Sequence, residues 1–293
     1  MKKITENKYY EALKRAYFDE RMKKTESQFY KDWINSKFQH SIEVTEIGIE
    51  ILNSTPELNS LDGGIKEEFV SALLTHDLAR AKEIDYITGK VTGVDHATLG
   101  AIELVESGEV SLNIIIPVMI HSRFDDEFIE VDDEKLKARK DFAKLSDEDK
   151  DFTFSMRSKY FALSDEEKRI IKLGVGLVKD ADKVANLAHY ERLIPLNLEA
   201  RKPYISQNVI DDLAVRNELM VLFKSVETIA DKIVFWMSWV NDLRFGASKD
   251  IVVKNNLFQK MKNTILDMFR NEDAEDLKKL SADLDLVIEC LNK

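Results

Sequence analysis

The chain has 293 residues, enough for one large domain or two modest ones. Its 54 acidic residues outnumber 43 basic ones, leaving a net charge of −11. That balance argues against a broad nucleic-acid-binding surface, because neutralising a polyanion needs clustered positive charge. Ten glycines, four prolines and long amphipathic segments rich in Leu, Ile, Glu and Lys predict an all-α fold. The N-terminus lacks the apolar run of a signal peptide. No stretch approaches the roughly 20 apolar residues that span a bilayer. The single cysteine, Cys290, excludes a disulfide framework within the chain and points to a reducing cytoplasm.

In chain order, residues 4–24 read as an amphipathic lead helix with Tyr9, Leu13 and Phe18. A second helix from about Glu26 to Ile51 carries His40 and stops at Ser54-Thr55-Pro56. Asp62-Gly63-Gly64 opens a helix from Ile65 to about Ala81 that carries His76-Asp77. Tyr86 to Val94 reads as a loop, and Asp95 as the N-cap of a helix that begins beside His96. Small residues at Ala97 and Gly100 suit close helix approach. Val110 to His121 is the next helix. The charge-dense stretch from Ser122 to about Ser158 reads as a solvated insertion. Ser164-Asp165-Glu166-Glu167 fits a capping box, and Ser146 caps another helix. The helix after Ser164 carries Asp182 and runs through Leu193 to Pro195. Beyond Ser206 lie further helices, including Asn255–Phe269 and Ala274–Leu291, with a Trp-rich core face and a candidate self-association surface.

The chemistry-bearing residues fall on apolar stripes. A helix brings i, i+3, i+4 and i+7 to one face. On that rule His40 shares a face with Trp33, Val44 and Ile47, and His76 with Phe69, Ala72 and Leu73. His121 follows Ile114 and Val118, and Asp182 falls with Val175, Val178 and Ala185. Each polar group therefore points toward a core. Burying an uncompensated carboxylate costs several kcal/mol, and a bound metal removes that penalty.

The order His40, His76-Asp77, His96, His121, then Asp182 within Val178-Lys179-Asp180-Ala181-Asp182-Lys183-Val184, resembles the HD-domain superfamily of metal-dependent phosphohydrolases. The extra pair His96 and His121 resembles its two-metal branch. The resemblance covers roughly residues 36–190. It implies an HD domain over 36–195, with an acidic insertion at about 122–160. A helical lead (1–35) precedes it and a C-terminal helical extension (196–293) follows it. It also implies one metal held by His40, His76, Asp77 and Asp182, and a second held by Asp77, His96 and His121. Imidazole and carboxylate ligands suit Fe, Mn, Co, Ni or Zn. Family members that hydrolyse phosphodiesters often carry Lys three residues after the Asp of the pair; here the position is Arg80.

Arg80, with Arg123 after His121 and Lys183 after Asp182, is a candidate phosphate contact. Asp95, Asp125, Asp126 and Asp180 are candidates to orient ligand histidines, and His189 reads as structural. Asp180 is the alternative to Asp182 as ligand. The implied activity is hydrolysis of a nucleotide or related small phosphoester by a metal-activated water, with Asp77 at its centre. The same ligand order also serves diiron oxygenases of the superfamily. A non-catalytic metal-binding module is the third reading. The Gly-Tyr-Pro tripeptide of cyclic-di-GMP phosphodiesterases is absent from the chain.

Overall fold

The computed structural model describes residues 4–19, 21–83, 95–122, 129–193, 202–215, 221 and 223–292. Arg123, Asp125, Asp126, the expected loop over 86–94 and the stop at Pro195 lie outside the described residues. The fold is all-α, with no strand among the described residues. No helix in them is long and apolar enough to cross a membrane. The chain divides into two compact units, Met1–Ala181 and Asp182–Lys293, with the boundary inside one continuous helix.

In the first unit, α1 (Tyr10–Lys14) is followed by α2 (Gln28–Ser54), α3 (Pro56–Asn59) and α4 (Gly63–Thr75). Next come α5 (His96–Glu106), α6 (Leu112–Ile120), α7 (Asp133–Ala138), α8 (Lys140–Ala143), α9 (Asp147–Phe161) and α10 (Asp165–Ala188). α4, buried along its C-terminal half, sits between α2 and α6, and α6 packs in turn on α5. The order α2, α4, α6, α5 determines which ligand residues become neighbours.

Two glycines permit the tightest approaches. A Cβ at Gly48 on α2 would lie 2.4 Å from Leu73 Cδ1 on α4. One at Gly174 on α10 would lie 2.7 Å from Phe69 Cε1, also on α4. Gly100 is less critical, since its nearest neighbour, the Ala79 nitrogen, would be 3.6 Å away.

Several expectations are corrected. The lead segment is not one helix: 3-10 turns at Ile4–Glu6 and Met22–Lys24 flank α1 and a π-turn at Arg15–Asp19. The π-turn's extra residue sets Tyr17 fully buried, with its hydroxyl donating to the Asp77 carbonyl at 2.7 Å. The helix bearing His76 ends at Thr75 and tightens into 3-10 turns through Lys82, with Arg80 N donating to Asp77 O at 2.9 Å. On α2 the buried face holds His40, Val44, Gly48 and Ile51, whereas Trp33 and Ile47 are only partly buried. Close packing at Gly48 turns that face toward α4.

The insertion is also more than a solvated face. Leu136, Phe142, Leu145 and Met156 are buried, and so is the Arg157 guanidinium. Arg157 donates to the Ile129 carbonyl at 2.7 Å, to the Val131 carbonyl and to Asp133 at 3.0 Å. A buried charge persists when hydrogen bonds and an ion pair such as those at Nη1 and Nη2 compensate it. Ser146 and the Ser164–Glu167 box cap α9 and α10 as expected, and α10 gives way to a 3-10 turn at Tyr190–Leu193.

The second unit contains the end of α10, then α11 (Gln207–Val215), α12 (Ile229–Met237), α13 (Gly246–Lys254), α14 (Leu257–Met268) and α15 (Ala274–Leu291). Met261, Ile265, Leu280, Leu284 and Val287 form the buried seam of α14 and α15. Trp236 belongs to the core, as its apolar stripe predicts. The fully buried Asp231 accepts from the backbone nitrogens of Ser206, Glu227 and Thr228, at 2.8, 2.9 and 2.9 Å.

Gly48→Val should destabilise the protein by about 2 kcal/mol or more, since overpacking a tight helix contact typically costs 1–3 kcal/mol. Gly63→Ala, where an added Cβ meets nothing within 4 Å, should stay within about 0.5 kcal/mol of the parent. Denaturant titrations of the two variants check this; equal stabilities would refute the close approach.

Candidate metal centre

Four helices of the first unit deliver one histidine each. His40 lies mid-helix on α2, His76 caps the C-terminal end of α4, His96 is the first residue of α5, and His121 caps the C-terminal end of α6. All four are buried. Their rings follow the helix order: His40 to His76 is 5.6 Å between centroids, His76 to His121 is 5.0 Å, and His121 to His96 is 5.2 Å.

His76 and His121 use the same local device. The last carbonyls of a helix have no intrahelical donor. His76 Nδ1 lies 2.8 Å from the Leu73 carbonyl, and His121 Nδ1 lies 2.7 Å from the Val118 carbonyl. Only an N–H bonds a carbonyl, so both rings carry the proton on Nδ1. In the neutral ring the Nε2 lone pair is then available for an ion, and the negative end of each helix dipole favours a cation there.

Asp77 sits where these nitrogens converge. Its Oδ1 is 3.2 Å from His96 Nε2 and 3.4 Å from His121 Nε2, and those two nitrogens are 3.3 Å apart. Its other oxygen, Oδ2, is 3.8 Å from His76 Nε2. One oxygen therefore faces the His96–His121 pair and the other faces His76. Adjacent residues on a regular helix diverge by about 100°. His76 and Asp77 nevertheless offer atoms to one group, because α4 ends just before them.

Two trios bring ligand atoms within 4.8 Å of one another: His40, His76 and Asp182, and His76, Asp77 and His121. Asp182 lies one residue past the unit boundary, on the continuous α10. It accepts from Asn186 Nδ2 at 2.8 Å. Asp180 is buried on the same helix but belongs to neither trio, so Asp182 is the better-placed of the two carboxylates.

The electrostatics follow from this crowding. Burial alone would raise the Asp77 carboxyl, but His76, Arg80 and hydrogen bonds from His121 and His96 outweigh it and hold it well below the usual carboxylate range. Burial would lower His96, yet hydrogen bonds to Asp77 and Glu83 raise it above the ordinary imidazole value. Burial likewise works to raise Glu83, and the bond from His96 and the charge of Arg80 reverse that, leaving it lowered.

Glu83 is the residue that sequence reasoning missed. Its Oε1 lies 2.5 Å from His96 Nδ1, and it pairs with Arg80, with Oε2 3.3 Å from Nε. The Arg80–Glu83 spacing of i, i+3 was the available signal. The 3-10 tightening after Thr75, which turns Glu83 back toward α5, was not visible in the sequence.

The other candidates lie as follows. Arg80 Nη1 is 3.0 Å from both ring nitrogens of His96, so its guanidinium lies against that ring. Lys183 pairs with Asp242. The Asp95 carboxylate accepts from the Thr98 hydroxyl at 2.5 Å. His189 is partly exposed and lies 3.5 Å from a Glu191 oxygen.

The donor set fits transition-metal ions. Ions of this class take nitrogen and oxygen ligands at about 2.0–2.2 Å, which places neighbouring donors roughly 3.0–3.4 Å apart. The triangle of Asp77 Oδ1, His96 Nε2 and His121 Nε2 has edges of that length. No family model, curated protein or solved structure matches the chain in comparisons with known proteins.

On the two-ion ligand set that the resemblance implies, Asp77→Ala should abolish binding of both ions while leaving the helical circular-dichroism spectrum intact. His96→Ala should leave about one ion per chain. Elemental analysis after metal loading and desalting reads both outcomes, and two ions retained in either variant would show the ligand assignment to be wrong.

Proposed function

We propose that the chain is a dinuclear-metal phosphohydrolase of the HD-domain type, acting on a nucleotide or a related small phosphoester. The observation that carries this reading is the placement of Asp77: one oxygen faces the His96–His121 pair, and the other faces His76, which shares a trio with His40 and Asp182. A carboxylate shared in this way is what two adjacent ions need.

Two divalent ions, when bound, supply Lewis acidity to a phosphoryl oxygen and lower the pKa of water to the point where it attacks at neutral pH. The chain's residues prepare that chemistry. His76 and His121 are locked by backbone carbonyls, so their Nε2 atoms need no reorientation. His40 and Asp182 complete the first ligand group, and His96 the second. Arg80 stands at the edge of the second group, one turn after Asp77, where a guanidinium can hold two oxygens of a phosphate. Lys183 and Arg80 are both ion-paired, to Asp242 and Glu83, but Arg80 lies against a ligand ring, which makes it the stronger phosphate candidate among the described residues.

The wider reading places this activity in a reducing cytoplasm, in keeping with the lone, free Cys290. Among the described residues of the second unit, Val253 and Leu286 are exposed large apolar side chains that self-association could cover.

Arg80→Ala should lower phosphoester turnover at least tenfold, about 1.4 kcal/mol, when assayed at metal concentrations that fill both sites. Turnover of a nucleotide and phosphoester panel should proceed without oxygen and with manganese as the ion. A blank panel, together with activity that demands iron and oxygen, would replace the hydrolase with an oxygenase.

A further inference from the structure

We infer that Glu83 is the positioning residue of the second metal group, fixing the ring of His96 through Nδ1 so that Nε2 faces Asp77 and His121. The inference rests on the dinuclear reading above and adds to it a residue outside the ligand set.

The three histidines around Asp77 are oriented in two different ways. His76 and His121 donate Nδ1–H to carbonyls three residues earlier in their own helices, so their orientation comes with the fold. His96 has no such carbonyl, because it opens α5 instead of closing a helix. Its Nδ1 meets the Glu83 carboxylate at 2.5 Å, across 13 residues of sequence. Its Nε2 then lies 3.2 Å from Asp77 Oδ1 and 3.3 Å from His121 Nε2.

A carboxylate behind an imidazole does two things. It holds the proton on the far nitrogen, so the near nitrogen presents a lone pair, and it increases the basicity of that lone pair. A carbonyl achieves the first effect but supplies less of the second, since it carries no full charge. The second group therefore depends on a side chain that substitution can remove, whereas His76 and His121 depend on backbone.

Arg80 completes the arrangement. Its Nη1 donates to Glu83 Oε1 at 3.3 Å, and its Nε lies 3.3 Å from Oε2, within ion-pair distance. The same guanidinium touches His96. Glu83 is thereby fixed from one side while it fixes His96 on the other. Its side chain is only about a quarter exposed, so Gln, which keeps its shape, is the substitution at 83 that removes little packing.

The test titrates the metal-free full-length chain with Mn2+, and in parallel with Co2+, and measures stepwise affinities by calorimetry and the Co2+ visible spectrum. The parent should bind two ions. Glu83→Ala should weaken the second step by about 10- to 100-fold, the range found when a carboxylate behind a metal-binding histidine is removed. The first step should be unchanged. Glu83→Gln, which keeps an acceptor oxygen but no charge, should fall between parent and Ala.

Nitrogen-15 NMR of the metal-free protein adds a readout independent of metal. The His96 Nδ1 proton should be hydrogen-bonded in the parent, weakened in Glu83→Gln and lost in Glu83→Ala. Two ions bound with parental affinities by Glu83→Ala would overturn the inference and leave the dinuclear reading standing. A parent that binds no second ion would overturn both. Equal weakening of both steps in Glu83→Gln would mark Glu83 as a general structural residue and overturn the positioning role.

Discussion

The first unit is organised around a carboxylate that water barely reaches. Asp77 is 4% exposed, and an ionised carboxylate at such a site survives only if positive charge or hydrogen-bond donors surround it. In the metal-free chain the charges of His76 and Arg80 and hydrogen bonds from His121 and His96 supply both. To bring them together, the chain must pack four helices closely enough for their side chains to meet at one point. Gly48 and Gly174 are the positions where that demand reaches the backbone itself. The core is thus shaped by its polar centre as much as by its apolar surface.

That dependence runs back to the chain's first residues. The Tyr17 hydroxyl bonds the Asp77 carbonyl, and Asn7 donates to Ser71 Oγ at 3.0 Å. The irregular lead segment is therefore fastened to α4 and to the turn that follows it. A regular helix over residues 4–24 would not aim Tyr17 as the π-turn does. The second unit handles a comparable problem without a cluster: Asp231 is satisfied by three backbone nitrogens near the start of α12.

How much of this was legible depends on how local the cause was. The all-α class followed from composition. The candidate ligands came from the resemblance of the His and Asp order to the HD-domain superfamily, and helical phase supported it: His76 on the stripe of Phe69, Ala72 and Leu73, and Asp182 on that of Val175, Val178 and Ala185. Capping at Ser146 and Ser164 was readable because a cap is a contact across three residues. The buried face of α2 was misjudged at Trp33 and Ile47, because the packing at Gly48 decides which side of that helix turns inward. The break after Thr75 escaped notice because Ala79, Arg80 and Ala81 are all good helix formers. On an unbroken helix Glu83 would lie i+7 from His76 and share its face; the break turns it toward His96 instead. The insertion looked solvated because its charges dominate its composition, yet Arg157 turns inward to carbonyls that only the folded chain presents.

The double duty of His76 and His121 has an evolutionary consequence. Each ring closes the end of an apolar helix with one nitrogen and presents the other to the centre. Asparagine could reproduce the first contact but offers nothing in place of the second, and alanine reproduces neither. Drift at these two codons is therefore checked twice, once by the stability of the helix ends and once by whatever the centre holds. At His96, whose partner is a side chain, the ring and Glu83 are free to change together. Divergent descendants of this chain should thus vary first around His96 and last at the ends of α4 and α6.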